Sequence, residues 1–154
     1  MKKNGFLFIL SLCYFMQMMA QQLSPPKKPL RVAVIGLVHT HVHWILGRES
    51  RGDIEIVGIA EPNRALALAY AQQHGYSLAL VDSSMEEMIT KTKPDAVLAF
   101  NTIYEHLKVV EYCAPRGIHV MVEKPLAVSM EHASKMLALA KKYNIHLLTN
   151  YETT

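Results

Sequence analysis

A glycine turn between an apolar run and a helical pattern is the first feature of this sequence that could support chemistry. Residues 30–46 read LRVAVIGLVHTHVHWIL, and the β-branched residues before Gly36 suit a strand covered on both faces. Gly36 allows a sharp turn and lets a ligand approach the backbone. A helix beginning near Thr40 or His41 would direct free N–H groups at whatever lies over the turn. Such a turn suits a phosphate-bearing cofactor.

The turn lacks the later glycines of a full dinucleotide fingerprint. That fingerprint reads G-x-G-x-x-G, whereas Val38 and His41 occupy the later glycine positions here. Glycine also ends buried strands that bind nothing. From this stretch alone, plain α/β packing therefore stays open beside nucleotide binding.

The rest of the chain alternates between apolar runs and helical patterns. Further strands are predicted at Ile54 to Ala60, Leu78 to Val81, Ala96 to Phe100, Ile118 to Val122 and Ile145 to Thr149. Helices are predicted over Asn63 to His74, from Ser83 or Ser84 to Lys91, over Tyr104 to Ala114 and from Ser129 to Tyr143. This alternation predicts an α/β fold, with a doubly wound, mostly parallel six-stranded sheet and helices on both faces.

Polar residues cluster just after the predicted strands. Ligands of such a sheet bind at the carboxyl ends of the strands, near the point where strand order reverses. The candidates at these positions are Gly36 to His41, Glu61, Asn101 to His106, Glu123 to Pro125 and Asn150 to Glu152.

The N-terminus has the pattern of a secretory signal peptide. Lys2 and Lys3 precede an apolar run that ends before Ala20, and this run is short for a membrane span. We expect residues 1–20 to be a signal peptide, residues 21–29 to be a proline-rich linker, and the protein to be exported to the periplasm. A retained membrane anchor is the alternative.

Charge and cysteine content exclude several classes of function. Loss of the leader would remove two of the 16 basic residues and leave 14 against 13 acidic ones, a net charge of about +1. A nearly neutral chain gives no indication of a nucleic-acid partner. After removal of the signal peptide, no stable membrane span would remain. Cys113 would be the one cysteine left, which rules out an internal disulfide and suggests a small core residue rather than a nucleophile.

The triplet Glu123-Lys124-Pro125 carries a resemblance to a known family. Its flanks and several distant residues agree in order: the glycine turn, Glu61, the PDAV stretch at residues 94–97, His106, and residues 117–120 and 126–127. Over residues 30–154 the chain resembles the glucose–fructose oxidoreductase, inositol dehydrogenase and MocA family. The resemblance implies an NAD(P)-binding Rossmann domain, truncated here before a C-terminal α/β substrate domain.

The resemblance also implies which residues hold the cofactor. They are Gly36, Val38, His39, Thr40, His41, Glu61, Asn101, Thr102, His106, Glu123, Lys124 and Pro125. The turn after Gly36 would lie over the pyrophosphate, and Glu61 would accept hydrogen bonds from the adenosine ribose. A carboxylate there favours NAD over NADP, although Arg64 could attract a 2′-phosphate.

Lys124 is the catalytic candidate that the resemblance implies. It would lie beside the nicotinamide and the substrate, where a cation can polarise a hydroxyl or relay its proton. Glu123 would hold this lysine or the nicotinamide ribose, and Pro125 would follow a cis peptide bond. A plain surface loop is the alternative for the triplet, and a capping or packing role is the alternative for His106.

Alternating histidines depart from the family pattern at His39, His41 and His43. They could crowd or contact the cofactor, or they could be metal ligands. We predict no metal site, because a helix here would spread the side chains and no acidic third ligand lies nearby in sequence.

Three functions of different class remain open. The first is an NAD-dependent oxidoreductase acting on a hydroxyl group of a small sugar-like or polyol substrate. The second is an NAD-dependent glycoside hydrolase of the same family, and the third is a non-catalytic cofactor or sugar sensor. We expect this chain alone to bind cofactor without turnover, and to form a homo-oligomer only together with the C-terminal domain.

Overall fold

Residues 28–151, the part of the chain described by the computed structural model, form one fully parallel six-stranded sheet. The strands are β1 (Leu30–Ile35), β2 (Ile54–Ala60), β3 (Val81–Asp82), β4 (Ala96–Ala99), β5 (His119–Glu123) and β6 (Leu147–Asn150). Their order in the sheet is β3-β2-β1-β4-β5-β6, and every neighbouring pair is parallel. Strand order therefore reverses between β1 and β4. This topology confirms the predicted doubly wound fold.

Helices cover both faces of the sheet. They are α1 (Val42–Leu46), α2 (Arg64–His74), α3 (Met85–Thr92), α4 (His106–Cys113) and α5 (Met130–Tyr143). Side chains alternate between the faces of a strand, and those of β1 divide between two apolar clusters. Val34 packs with residues of α1 and α2, whereas Ala33 and Ile35 pack with residues of α3, α4 and α5. The sheet is therefore buried on both sides, which explains its continuous apolar runs.

Local capping sets the ends of the longer helices. The Asn63 side chain accepts a hydrogen bond from the Leu66 N–H, and Ser84 and Ser129 cap α3 and α5 in the same way. Left-handed residues end all three of these helices, Gly75 after α2, Lys93 after α3 and Asn144 after α5. These bounds confirm the predictions made from the sequence.

The third strand is where the sequence misleads most. Leu78–Leu80 form a 3-10 helix, so the strand predicted over Leu78 to Val81 shrinks to the two residues of β3. The Ser77 hydroxyl accepts a hydrogen bond from the Ala79 N–H and starts this turn. Apolar content alone could not distinguish the two conformations at the sheet edge.

Other element ends differ by one to three residues. Phe100 lies beyond β4, while β5 and β6 run one residue further than predicted and begin one or two residues later. The helix predicted over Tyr104 to Ala114 divides into the 3-10 turn Ile103–Glu105, then α4, and then the 3-10 turn Ala114–Arg116.

Cys113 is a core residue, as the sequence predicts. Its side chain is fully buried, and burial raises the pKa of its thiol to about 12. The thiol is therefore neutral and enclosed at ordinary pH, which makes it a packing group rather than a nucleophile.

The predicted signal peptide and nearly all of the linker, residues 1–27, lie outside the described residues, as do residues 152–154. No helix between positions 28 and 151 is both long enough and apolar enough to cross a membrane.

Candidate functional site

The glycine turn lies at the point where the strand order of the sheet reverses. The Gly36 N–H donates to the Ala60 carbonyl at 2.8 Å, and the Phe100 N–H donates to the Ile35 carbonyl at 2.8 Å. Gly36 has φ +75, and a Cβ there would lie 2.6–2.8 Å from Asn101 Cβ, Cα and N. The sequence suggested that the missing Cβ admits a ligand. In the structure it is Asn101 that approaches the Gly36 backbone closely. The missing Cβ of Gly36 therefore makes room for the packing of Asn101.

Some backbone N–H groups of the turn form hydrogen bonds within the protein, and others remain available to a ligand. The Leu37 N–H donates to Glu61 Oε2 at 2.8 Å, and the His39 N–H donates to the Phe100 carbonyl at 3.0 Å. The N–H groups of Val38 and Thr40 form no hydrogen bond with residues 28–151, and both residues are exposed. Two amides of this turn therefore remain available to an anion.

Helix α1 contributes less to the turn than the sequence predicts. It begins at Val42 and has five residues. The N–H groups of Val42, His43 and Trp44 donate to carbonyls of the preceding turn. The prediction that free N–H groups of this helix face the ligand was wrong for α1, because the tight turn before it uses them internally, whereas the Thr40 N–H at the predicted start remains available.

Glu61 is a buried carboxylate that ties the turn to α2. Its side chain is 4% exposed, Oε2 accepts from Leu37, and Oε1 accepts the Asn63 N–H at 2.8 Å. Each carboxylate oxygen keeps acceptor capacity after one such bond, so it can still accept from a hydroxyl. Arg64, the possible 2′-phosphate ligand, is exposed nearby in the chain.

A pocket of about 170 Å³ opens beside the turn. Its lining comes from the ends of β1, β2, β3 and β4 and from α3 and α4: Ile35, Gly36, Val38, Ala60, Glu61, Pro62, Ser83, Met85, Glu86, Asn101, Thr102, Glu105, Lys108 and Val109. Asn101 Oδ1 is buried here without a hydrogen-bond partner among the described residues. An unsatisfied acceptor beside open amides suits a polar ligand such as a nucleotide.

Five predicted site residues line this pocket, namely Gly36, Val38, Glu61, Asn101 and Thr102. Ser83, Glu86 and Lys108 also line it and were missed from the sequence. Ser83 directly follows β3, and the wrong bounds predicted for that strand hid this signal. Lys108 Nζ lies 3.0 Å from Glu86 Oε1, and this contact lowers the pKa of the Glu86 carboxyl.

Glu123 lies on the other side of the turn, at the end of β5. Its side chain is 1% exposed, and it accepts hydrogen bonds from Asn150 Nδ2 at 2.5 Å and from the Lys124 N–H at 3.3 Å. The resemblance implied that Glu123 holds the lysine or the nicotinamide ribose. Its contact with the lysine is through the backbone N–H. Asn150, which belongs to the strand-end candidates, was missed as a partner of Glu123.

Lys124 is exposed, and its ammonium forms no hydrogen bond or ion pair within residues 28–151. The Lys124–Pro125 peptide bond is cis, as the resemblance implied. This segment therefore presents a lysine at the carboxyl edge of β5, with its carboxylate neighbour turned into the protein.

His106 is a packing residue in this structure. It is fully buried, and its Nδ1 lies 3.2 Å from the Leu126 carbonyl. Burial lowers the pKa of His106, while the hydrogen bond to Leu126 and the charges of Glu123 and Glu105 act in the opposite direction. It does not line the pocket. Its contact positions the segment after Pro125, which favours the packing alternative.

The three alternating histidines separate into two groups. His43 turns away from the turn, and its Nδ1 lies 2.7 Å from His74 Nε2. His41 Nδ1 lies 3.1 Å from Glu123 Oε1, and His39 Nδ1 lies 3.9 Å from Glu123 Oε2. Both arguments against a metal therefore fail, because the side chains of His39 and His41 converge and β5 supplies the acidic group.

The fold and the turn define a dinucleotide-binding domain of the Rossmann type. Residues 30–151 match the profile of the oxidoreductase family with an NAD-binding Rossmann fold. The chain belongs to this family, which is the glucose–fructose oxidoreductase, inositol dehydrogenase and MocA family that the sequence resembles.

Two curated relatives are sugar-acting enzymes by name. The chain is 28% identical over 121 residues to 1,5-anhydro-D-fructose reductase of Ensifer adhaerens, which covers 79% of this chain and 36% of the reductase. It is 32% identical over 120 residues to D-glucoside 3-dehydrogenase of Escherichia coli (strain K12), with 74% and 32% covered. The chain spans about a third of the length of these relatives.

Solved structures share the fold. The WlbA dehydrogenase from Chromobacterium violaceum, solved in complex with NADH and UDP-GlcNAcA, matches with a TM-score of 0.70 and 24% sequence identity. The match covers 83% of this chain and 37% of that one. At this identity the likeness establishes the architecture alone.

Proposed function

We propose that this chain is the cofactor-binding part of an NAD-dependent oxidoreductase that acts on a hydroxyl group of a sugar, a polyol or a related compound. The observation that carries the proposal is the pair of open amides at Val38 and Thr40 in a turn that the buried carboxylate of Glu61 binds through the Leu37 N–H. The family and the names of the relatives support the substrate class. The relatives are about three times as long, so turnover would require a substrate domain.

The residues around the turn fit the parts of a dinucleotide. Val38 and Thr40 would donate their N–H groups to phosphate oxygens, and Glu61 would accept from ribose hydroxyls. Asn101 would use its unpartnered Oδ1 as an acceptor for a ligand N–H or O–H group. When bound, the cofactor supplies a hydride acceptor for oxidation of an alcohol.

Charge favours NAD over NADP at this position. The buried Glu61 carboxylate would repel a 2′-phosphate placed on the ribose that it binds, and enclosing a second negative charge beside it would be costly. Arg64 is exposed and can move away from the ribose, so its attraction for a phosphate is screened by solvent.

Lys124 has the freedom that a catalytic cation needs. Its ammonium is not committed to a carboxylate within the described residues, so it can donate a hydrogen bond to a substrate oxygen. A lysine can also transfer a proton, which suits the release of a proton from a hydroxyl during oxidation.

Calorimetric titration of the chain with NAD and with NADP tests the proposal. We expect saturable NAD binding and weaker NADP binding, with NAD affinity unchanged in the control variant Arg64→Ala. Equal or tighter NADP binding would contradict the assigned preference. Failure of both nucleotides to bind a folded chain would contradict the cofactor role.

A further inference from the structure

We propose that His39, His41 and Glu123 bind a divalent transition-metal ion of the zinc class. One ligand atom from each residue lies within 4.8 Å of the others. His41 Nδ1 is 3.1 Å from Glu123 Oε1, and His39 Nδ1 is 3.9 Å from Glu123 Oε2. Two nitrogens and a carboxylate oxygen form a ligand set that zinc uses in sites with an open fourth position.

Two of the distances lie near those between the ligands of a tetrahedral ion. Zinc bonds of about 2.0–2.2 Å place neighbouring ligand atoms about 3.4 Å apart. The contact between His41 and Glu123 is slightly shorter than this, and the contact between His39 and Glu123 is slightly longer. The three ligand atoms lie within 4.8 Å of one another, so side-chain rotations would be needed to bring them to coordination distance. Coordination through His39 Nδ1 would replace the hydrogen bond that it accepts from the His41 N–H, which is already long at 3.3 Å.

The charge of Glu123 also points to a cation. Its side chain is 1% exposed, and its ion-pair partners between positions 28 and 151 are the imidazoles of His39 and His41. A buried carboxylate is costly unless an opposite charge compensates it. A divalent ion held by the same two imidazoles would provide that charge.

The surrounding contacts hold the ligand side chains in place. Asn150 Nδ2 donates to Glu123 Oε1 and the Lys124 N–H donates to Oε2, so two donors orient the carboxylate. The His41 ring stacks on Trp44, with centroids 4.3 Å apart and planes inclined by 13°. Such supporting contacts are what position ligands in built metal sites.

The fourth position of the ion would face the ligand side of the sheet. The side chains of His39 and His41 are 29% and 15% exposed, and the exposed Lys124 follows Glu123 directly. The open position would take water or an oxygen atom of a hydroxyl or carbonyl ligand. An ion there would polarise that oxygen as a Lewis acid.

Zinc titration of the full chain, purified without a histidine tag and with no nucleotide present, tests the site. We expect saturable binding of one zinc ion at this site, and a loss of affinity of about 100-fold or more in His39→Ala and in His41→Ala. Cobalt(II) in place of zinc should give the visible absorption of a tetrahedral ion in the wild type and lose it in both variants. His43→Ala is the matched control, since His43 pairs with His74, and it should keep this binding and this spectrum.

Thermal melts of every variant would show whether a loss of zinc binding comes from a folded protein. Glu123→Gln preserves the shape of the side chain and should also lose zinc, but it changes a buried group. His39 is partly exposed, so His39→Ala decides the matter if Glu123→Gln does not fold. No zinc uptake by the wild type, or unchanged affinity in a folded His39→Ala chain, would overturn the proposal. Neither outcome depends on the nucleotide titration, so this site and the cofactor role can fail separately.

Discussion

Glu123 and Lys124 are adjacent in the chain, yet their side chains lie in opposite environments. Glu123 is enclosed among Asn150, His39 and His41, whereas the Lys124 ammonium is exposed. The end of β5 produces this division, because Glu123 is the last residue of the strand and Lys124 lies beyond it, in the segment before the cis bond to Pro125. This arrangement fits the proposed roles, in which Glu123 binds a ligand and Lys124 contacts a substrate.

Replacement of Lys124 tests its catalytic role. In a protein that joins this domain to a substrate domain, Lys124→Ala should lower kcat by roughly 10²–10⁴-fold, the usual effect of losing an acid–base group. Lys124→Arg should not restore the rate, because a guanidinium does not release its proton near neutral pH. Steady-state rates and an NAD titration would show whether the loss is in kcat rather than in cofactor affinity.

Lys135→Ala is a suitable control for this comparison, since Lys135 is exposed and pairs with Glu111 on the helical surface. It should leave kcat unchanged. A near-normal kcat in Lys124→Ala would remove the lysine from the mechanism and favour a sensor.

His106 should make stability depend on pH. Burial lowers its pKa below the ordinary value of 6.5, so the folded protein favours the neutral ring. As pH falls below about 6.5, the unfolded chain binds a proton before the folded one does, and stability decreases until the folded-state pKa is passed. Glu123 and Glu105 oppose this shift without reversing it. Melting temperatures between about pH 5 and pH 8 should therefore fall on the acid side.

His106→Asn isolates this contribution, because asparagine can still donate to the Leu126 carbonyl and does not titrate. Its melting temperature should change less with pH than that of the wild type. His74→Asn is the comparison variant. Burial also lowers the pKa of His74, which lies outside the site, so this variant reports the effect of removing a partly buried histidine elsewhere in the fold. Identical pH dependence in the wild type and in His106→Asn would refute the assignment.

Elements whose ends are fixed locally were predictable from the sequence. Asn63, Ser84 and Ser129 cap helices through their own side chains, so residue type and position sufficed to locate α2, α3 and α5. Elements whose ends are set by contacts with neighbouring elements were less predictable. β3 is a two-residue edge strand that pairs with Ile59 and Ala60 of β2, and nothing in its own sequence limits it to two residues.

Substitutions at two glycines distinguish the contribution of packing to stability from the contribution of backbone conformation. Gly36→Ala should lower the free energy of unfolding by about 2 kcal/mol or more, because the left-handed conformation is strained for alanine and the new Cβ would meet Asn101. Gly52→Ala is the matched control. Its φ of +72 is nearly that of Gly36, but no described atom lies within 4 Å of the added Cβ.

Gly52→Ala should cost about 1–2 kcal/mol, from the conformation alone. Urea denaturation of both variants would measure the difference. Equal losses in the two variants would mean that the contact between Gly36 and Asn101 contributes nothing to stability.

The cluster of His39, His41 and Glu123 could not be predicted from local spacing. Glu123 is 82 residues from His41, and the two meet because β1 and β5 flank β4 in the sheet. Strand order was the missing information. The sequence did predict that strand ends would converge at one edge, and both groups belong to that set.

At the scale of the whole molecule, the turn after Gly36 separates two functional regions. The pocket beside Glu61 is lined from the ends of β1 to β4, and the cluster around Glu123 lies toward β5 and β6. A dinucleotide bound at the reversal of strand order would extend from the first region toward the second. Cofactor binding should therefore be a property of this chain, whereas turnover should require the part of the relatives that it does not span.

Calorimetric titration of NAD into the wild type and Glu61→Ala tests this assignment most directly. Loss of the ribose hydrogen bonds should weaken NAD binding by about 1–3 kcal/mol. Glu61→Ala also leaves the Leu37 N–H without its acceptor, so the titration must be run well below the melting temperature of the variant. Glu55→Ala, at an exposed position on β2, the strand that precedes Glu61, should bind NAD as the wild type does. NAD affinity that is equal in wild-type and folded Glu61→Ala protein would contradict the placement of the cofactor at this turn.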